Sequence, residues 1–221
     1  MNEDKIEWIL KVMKSDPRTK NAPVYAFESS AKNNFQILVS TTLSARTKDS
    51  TSIPIVNRLF KKIKKPEDIL KQNPKSLERS LYGIGFYRTK AKYLFGMARI
   101  LINDFNSKVP DSLEELLSLP GVGRKTANIV LARAFGKNTI GVDVHVHRIS
   151  NRLGLVKTKK PEETEKQLIK LTPAHLLPKI NRTFVAYGQT ICKPINPKCD
   201  LCKLAEFCPK IGVKKLNAKS Y

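Results

Sequence analysis

Lys125 follows the Gly-Val-Gly of Leu119-Pro-Gly-Val-Gly-Arg-Lys-Thr-Ala, at the expected start of a largely apolar helix. The positive end of a helix dipole is an odd place for a structural lysine. It suits a nucleophile better. A reacting amine must shed its proton, and both the helix N-terminus and the neighbouring cation Arg124 disfavour the ammonium. The plainer alternative is one more phosphate contact. A second group is Cys192, Cys199, Cys202 and Cys208, all the cysteines of the chain, spaced C-x6-C-x2-C-x5-C. A disulfide scaffold would spread its cysteines, so this clustering points to metal ligation in a reducing compartment, by zinc or an iron–sulfur cluster. A third is Asp143 in Gly-Val-Asp-Val-His-Val-His-Arg-Ile, where aspartate is a favoured helix N-cap. His145 and His147, two apart, point to different helix faces, so structural or phosphate-side roles are expected for them rather than shared metal ligation.

Helices must position these groups. Ile6, Ile9, Leu10 and Met13 fall on one face of a first helix, and the stretch from Phe35 to Leu43 is apolar or hydroxylic, as a buried central helix requires. Ile53–Ile63, Leu77–Tyr82, Ala91–Phe105 and Leu113–Leu117 continue the spacing of three and four. Acids after Pro66, Asp111 and Lys160 mark helix starts. Alternation is scarce, and Asn138-Thr-Ile-Gly-Val-Asp-Val-His-Val, short and isolated, is the best strand candidate. The chain is therefore expected to be all-α. At Leu119-Pro-Gly-Val-Gly the proline ends one helix, and the glycines permit a tight turn with positive φ. The amides of Gly121, Val122 and Gly123 would then project at the next helix start, where free N–H groups and the dipole attract phosphate. Gly83-Ile-Gly-Phe-Tyr-Arg-Thr-Lys-Ala repeats the turn weakly, more as a tight helix connection than as a second equal contact.

Lys and Arg number 41 against 19 Asp and Glu, giving a net charge of +22, which favours a polyanionic partner and nucleic acid ahead of a membrane. Lys193 and Lys198 lie between the first two cysteines, placed for phosphate contacts or merely solvated. The start of the chain, with its acids, does not read as a signal peptide, and the uncharged run 33–45 is too short and polar to span a bilayer. A cytoplasmic, nucleoid-associated monomer with no membrane contact is expected.

The turn with its lysine, then Gly-Val-Asp-Val-His-Val-His-Arg-Ile-Ser-Asn-Arg-Leu-Gly, then the cysteine cluster, together resemble the endonuclease III family of DNA repair glycosylases, from about Phe35 to Cys208. The turn is then that family's helix-hairpin-helix, gripping DNA backbone without reading bases. The resemblance implies two helical domains with a DNA-binding cleft between them: a central bundle over 27–137 carrying the hairpin, and an iron–sulfur domain built from 1–26 and 138–221. It implies that Lys125 is a Schiff-base nucleophile with Asp143 as its essential carboxylate, and that the cysteines hold a [4Fe–4S] cluster pinning a loop. The expected partner is double-stranded DNA with a damaged base or abasic site. A base inside the duplex must be flipped out and the gap filled. The matching loops are Ser44–Asp49 and Gly85–Tyr87, with Arg46 where the familiar bacterial pattern has glutamine and Phe86 in place of an aliphatic wedge. Asp49 shapes the lesion pocket or caps a helix, the cap being preferred.

The expected function is a bifunctional DNA glycosylase and AP lyase of base excision repair acting on oxidised pyrimidines of the thymine glycol class. Within the superfamily the alternative is a glycosylase for thymine or uracil opposite guanine, or for another lesion. Lys125 argues against monofunctional relatives, and the length leaves no room for the extra domain of an adenine-specific branch. From another class comes a non-catalytic DNA clamp.

Overall fold

The computed structural model describes residues 3–213, and every regular element among them is helical. Residues 1, 2 and 214–221, expected at the ends of the iron–sulfur domain, lie outside the described residues. The α-helices are α1 (Glu3–Lys14), α2 (Pro23–Ser29), α3 (Asn34–Ser44), α4 (Asp49–Phe60), α5 (Pro66–Leu70), α6 (Pro74–Ser80), α7 (Tyr87–Phe105), α8 (Leu113–Ser118), α9 (Arg124–Phe135), α10 (Val144–Arg152), α11 (Pro161–Leu171) and α12 (Leu177–Thr190). The chain divides into two units, residues 26–139 and residues 1–25 together with 140–221.

In the unit 26–139, α3 is the core helix. It packs against α4, α7 and α9, and Leu38, Val39 and Leu43 are fully buried. Truncating any of these leucines to alanine would cost about 2–5 kcal/mol. Asn33 caps the helix, its side chain accepting from the Gln36 N–H at 2.9 Å. Other starts follow the same chemistry. Ser112 caps α8 by accepting from the Glu115 N–H at 3.2 Å, and Asp68 reaches back to the Lys64 N–H at 2.8 Å ahead of α5.

In the unit 1–25 with 140–221, α12 packs against α1 and α10, and α10 against α11. Ile6, Met13, Val146, Ile149, Ile180, Phe184 and Tyr187 form its core. Gly188 lets α10 come close, because a Cβ there would meet His145 Nδ1 at 2.5 Å and Arg148 Nη2 at 2.9 Å. The Trp8 ring of α1 stands edge-on to Phe207 at 4.8 Å, tying the first helix to the cysteine segment.

Two expectations are corrected. The strand candidate after Asn138 is an extended lead into α10, with Ile140 and Val142 buried and no strand among the described residues. Asp49 is the first residue of α4 rather than its cap, which is Lys48 and makes no side-chain capping bond. An acid in a first turn still complements the dipole.

Candidate active site and nucleic-acid interface

Pro120 and Gly121 occupy the middle of a β-turn closed by the Val122 N–H donating to Leu119 O at 3.1 Å. Gly121 has φ +79°, as the third residue of a type II turn requires. A Cβ there would run into the Tyr93 ring. Gly123 behaves differently. It is the N-cap of α9 with φ −98°, makes no side-chain cap, and has no atom within 4 Å of where a Cβ would stand. Gly123 thus leaves space in front of the first turn of α9 with no side chain of its own to cap it. Val122 differs from the expectation, since its N–H is spent in the turn and its side chain is buried in the core. Arg124 is exposed at the first position of α9, and Lys125 is half-buried at the second.

The weak echo in the sequence is a structural echo. Gly83 has φ +100°, and the Ile84 N–H donates to Leu81 O at 3.0 Å with Ile84 buried, as Val122 is in the other turn. Here one extra residue is inserted before α7. Phe86 adopts φ 58° and leaves its ring 63% exposed. The facing loop carries exposed Arg46 at φ 55°, and the guanidinium lies 5.8 Å from the centroid of the Phe86 ring. The structure brings these two expected DNA contacts together.

Lys90, which the sequence reading passed over, lies beneath them. Only 6% exposed, it donates to Leu43 O at 2.8 Å and Ala45 O at 2.6 Å. Burial, with a smaller push from the Lys125 charge, brings it down to about 8. Sequence alone marks it as one basic residue among many on a helix.

Asp143 is the N-cap of α10. Its Oδ1 accepts from the N–H groups of His145 at 2.8 Å and Val146 at 2.9 Å. The histidines are engaged locally: His147 Nδ1 pairs with Thr164 Oγ1 at 2.7 Å, and His145 Nδ1 lies 3.2 Å from Arg148 Nη2.

Cys192, Cys199, Cys202 and Cys208 line one cavity, with Ile191 and Ala205 among its apolar walls. Tyr187 Oη lies 3.2 Å from Cys202 Sγ. Arg152, also missed from sequence, is buried and donates to Cys192 Sγ at 3.4 Å, Lys193 O at 2.6 Å and Pro194 O at 2.8 Å. Behind the loop Arg18 donates to Leu201 O and holds the buried Asp16 carboxyl below the usual carboxylate range through a hydrogen-bonded ion pair at 2.6 Å. Burial, then repulsion from the other cysteines, pushes the Cys199 thiol up, and burial does the same to Cys208. Lys193 and Lys198 are exposed on this loop. Among the described residues no group of three or more His, Cys, Asp or Glu side chains converges as a single-ion site, and no helix is long and apolar enough to cross a membrane.

These features have close counterparts. The family model described as "HhH-GPD superfamily base excision DNA repair protein" matches residues 39–174. Endonuclease III of Thermotoga maritima is 49% identical over 174 residues, covering 79% of this chain and 82% of the relative. The chain belongs to the endonuclease III family. Two solved structures of that family extend the likeness to the fold. One is a non-covalent endonuclease III–DNA complex, at 33% identity and a TM-score of 0.83, covering 95% of this chain and 96% of that one. The other is a trapped endonuclease III–DNA covalent intermediate, at 34% identity and a TM-score of 0.84, covering 95% and 97%. Like its family, this chain is an all-helical DNA glycosylase and AP lyase of base excision repair.

Proposed function

We propose that the enzyme removes oxidised pyrimidines of the thymine glycol class from double-stranded DNA, with Lys125 as nucleophile and Asp143 as the carboxylate that stabilises the sugar. The observation that carries this reading is Lys125 in the first turn of α9, directly behind the Gly121 turn and the uncapped Gly123. As the glycosidic bond breaks, positive charge develops on the sugar, and a carboxylate stabilises it. The Lys125 amine adds to C1′ as the base departs with the bonding electrons and takes up a proton. The bound nitrogen gives up a proton and its lone pair then expels O4′, the C1′–O4′ bond breaking as O4′ takes up a proton, and the iminium so formed at C1′ acidifies the C2′ hydrogen. Loss of that proton expels the 3′ phosphate by breaking the C3′–O bond, cutting the strand 3′ to the lesion. The N–H groups of Gly121 and Gly123, with Arg124, hold the backbone phosphate, and Lys193 and Lys198 add contacts from the cysteine loop. Arg46 and Phe86 fill the space left by the flipped base.

We assign the four cysteines to a [4Fe–4S] cluster. The donor set fits: four thiols share one cavity, their mutual repulsion as thiolates is the kind a cationic centre relieves, and each iron of such a cluster takes one thiolate rather than all converging on one ion. Its contribution when bound is to pin the loop that carries Lys193 and Lys198.

Borohydride reduction on abasic duplex DNA tests the reading. A covalent adduct is expected from the native enzyme and none from Lys125→Ala. Equal trapping by both would overturn it.

A further inference from the structure

We propose that Lys90 is a positioning residue for base extrusion, its amine locking the Arg46 loop and the Phe86 loop into one rigid element. This rests on the reading of Arg46 and Phe86 as the gap-filling pair. Three donors sit on the Lys90 amine, and all three acceptors lie on the segment that leads to and carries Arg46: Leu43 O at 2.8 Å, Ala45 O at 2.6 Å and Thr47 Oγ1 at 3.4 Å. Two of these are carbonyls at the C-terminal end of α3, where the helix dipole favours a cation. Among the described residues the acceptors of this amine are all neutral, and the charged group that acts on it is Lys125. An ammonium 6% exposed and held by neutral oxygens alone is costly to bury, and a methionine would fill the space without that cost.

What the charge does there is bridge. Thr47 Oγ1, which takes the Lys90 bond, also accepts from the Gly85 N–H at 3.0 Å, so one hydroxyl joins α7, the Arg46 loop and the Phe86 loop. The two backbones touch at this point, since a Cβ on Gly85 would lie 2.8 Å from Arg46 O and 3.3 Å from Thr47 Oγ1. Arg46 and Phe86 both hold left-handed backbone, at φ 55° and 58°. Neither is a residue that adopts it freely, so the surroundings must impose it. Lys90 and Thr47 are those surroundings. The pair is presented already set, with the guanidinium over the Phe86 ring.

The test separates extrusion from chemistry. Lys90→Met, Thr47→Val, Arg46→Ala and Phe86→Ala are each assayed for single-turnover cleavage of a duplex carrying one thymine glycol. Each is also assayed for borohydride trapping on a single-stranded abasic oligonucleotide, which has no base to flip and no gap to fill. Lys90→Met is expected to slow duplex cleavage about tenfold or more, the scale on which misplaced groups cost rate, while single-strand trapping stays within about twofold. Thr47→Val, which keeps shape and leaves the lysine in place, shows the same selective loss and carries the test should Lys90→Met fail to fold. The double variant Lys90→Met with Phe86→Ala is no slower than the worse single one, because both disable one element. The Lys90 assignment falls if Arg46→Ala and Phe86→Ala slow duplex cleavage while Lys90→Met and Thr47→Val do not. It falls equally if these two variants lower both assays alike. If neither Arg46→Ala nor Phe86→Ala slows duplex cleavage, the gap-filling reading itself fails and the proposal goes with it.

Discussion

Gly121 and Gly123 look interchangeable in sequence, and the structure makes opposite predictions for replacing each with alanine. At Gly121, φ +79° puts an L-residue in left-handed backbone, at about 1–2 kcal/mol. The new methyl also meets the ring of Tyr93, which is 38% exposed and able to turn aside, at about 0.5–1.5 kcal/mol for an off-rotamer side chain. The sum is about 1.5–3.5 kcal/mol, or a fall in Tm of roughly 3–14 °C for a chain of this size. At Gly123 the backbone is at φ −98° and no atom stands within 4 Å of the methyl. The loss of a good N-cap, a few tenths of a kcal/mol to about 1, is offset by the smaller entropy of the unfolded chain. Gly123→Ala should therefore melt within about 3 °C of the native protein. Its methyl does occupy space in front of the first turn of α9, where a phosphate is proposed to bind. Affinity for a duplex with a stable abasic analogue, followed by fluorescence anisotropy, should fall about tenfold, equivalent to roughly 1.4 kcal/mol. A Gly123→Ala protein that is stable and binds like the native one would refute the phosphate assignment, and a Gly121→Ala protein of native stability would refute the turn geometry.

Further predictions address the other groups. Asp143→Asn keeps a good N-cap and should cost less than about 0.5 kcal/mol in stability, yet slow product formation by on the order of 10²–10³ if the charge stabilises the sugar; a native-like melt together with native rates in Asp143→Asn would reduce Asp143 to a cap. Lys90 loses its proton at about 8 in the folded chain, against the ordinary 10.5 when unfolded. Between those values the unfolded state binds more protons, so stability gains with rising pH from about 8 to 10.5 and that gain is lost on returning below 8; urea melts of native protein and Lys90→Met across this range should show the slope in the first only. Arg152→Leu leaves Cys192 Sγ and two loop carbonyls without their donor, and is expected to lose iron and visible absorbance faster than native protein. Duplex affinity should fall by about 0.9 log units per phosphate contact for each decade of salt, and affinity flat in salt would exclude the basic surface as the interface.

The sequence was most legible where few residue types satisfy a backbone demand. Pro120-Gly121 can hardly be anything but the centre of a turn, Asp143 sits where a cap is needed, and four cysteines within one short segment have few uses. Apolar spacing located the helices, with errors at the ends where propensity is weak: Asp49 falls one residue inside α4, and α6 starts at Pro74, ahead of the first apolar residue Leu77. The extended lead into α10 alternates like a strand because Ile140 and Val142 are buried on one side, and alternation alone does not supply a pairing partner. Lys90 and Arg152 escaped for a different reason. On a chain with 41 basic residues, one buried cation looks like any solvated one until the carbonyls around it are in place. The Val122 amide does not project as the sequence suggests, because a turn consumes the amide of its last residue, a fact of geometry and not of composition.

Catalysis as proposed turns on the amine at position 125 bonding to the sugar. The adduct formed on abasic duplex DNA under borohydride can be digested and its modified peptide sequenced by mass spectrometry. The deoxyribose remnant is expected on Lys125, within the peptide that begins α9. A remnant on Lys90 or any other lysine, with position 125 unmodified, would contradict it.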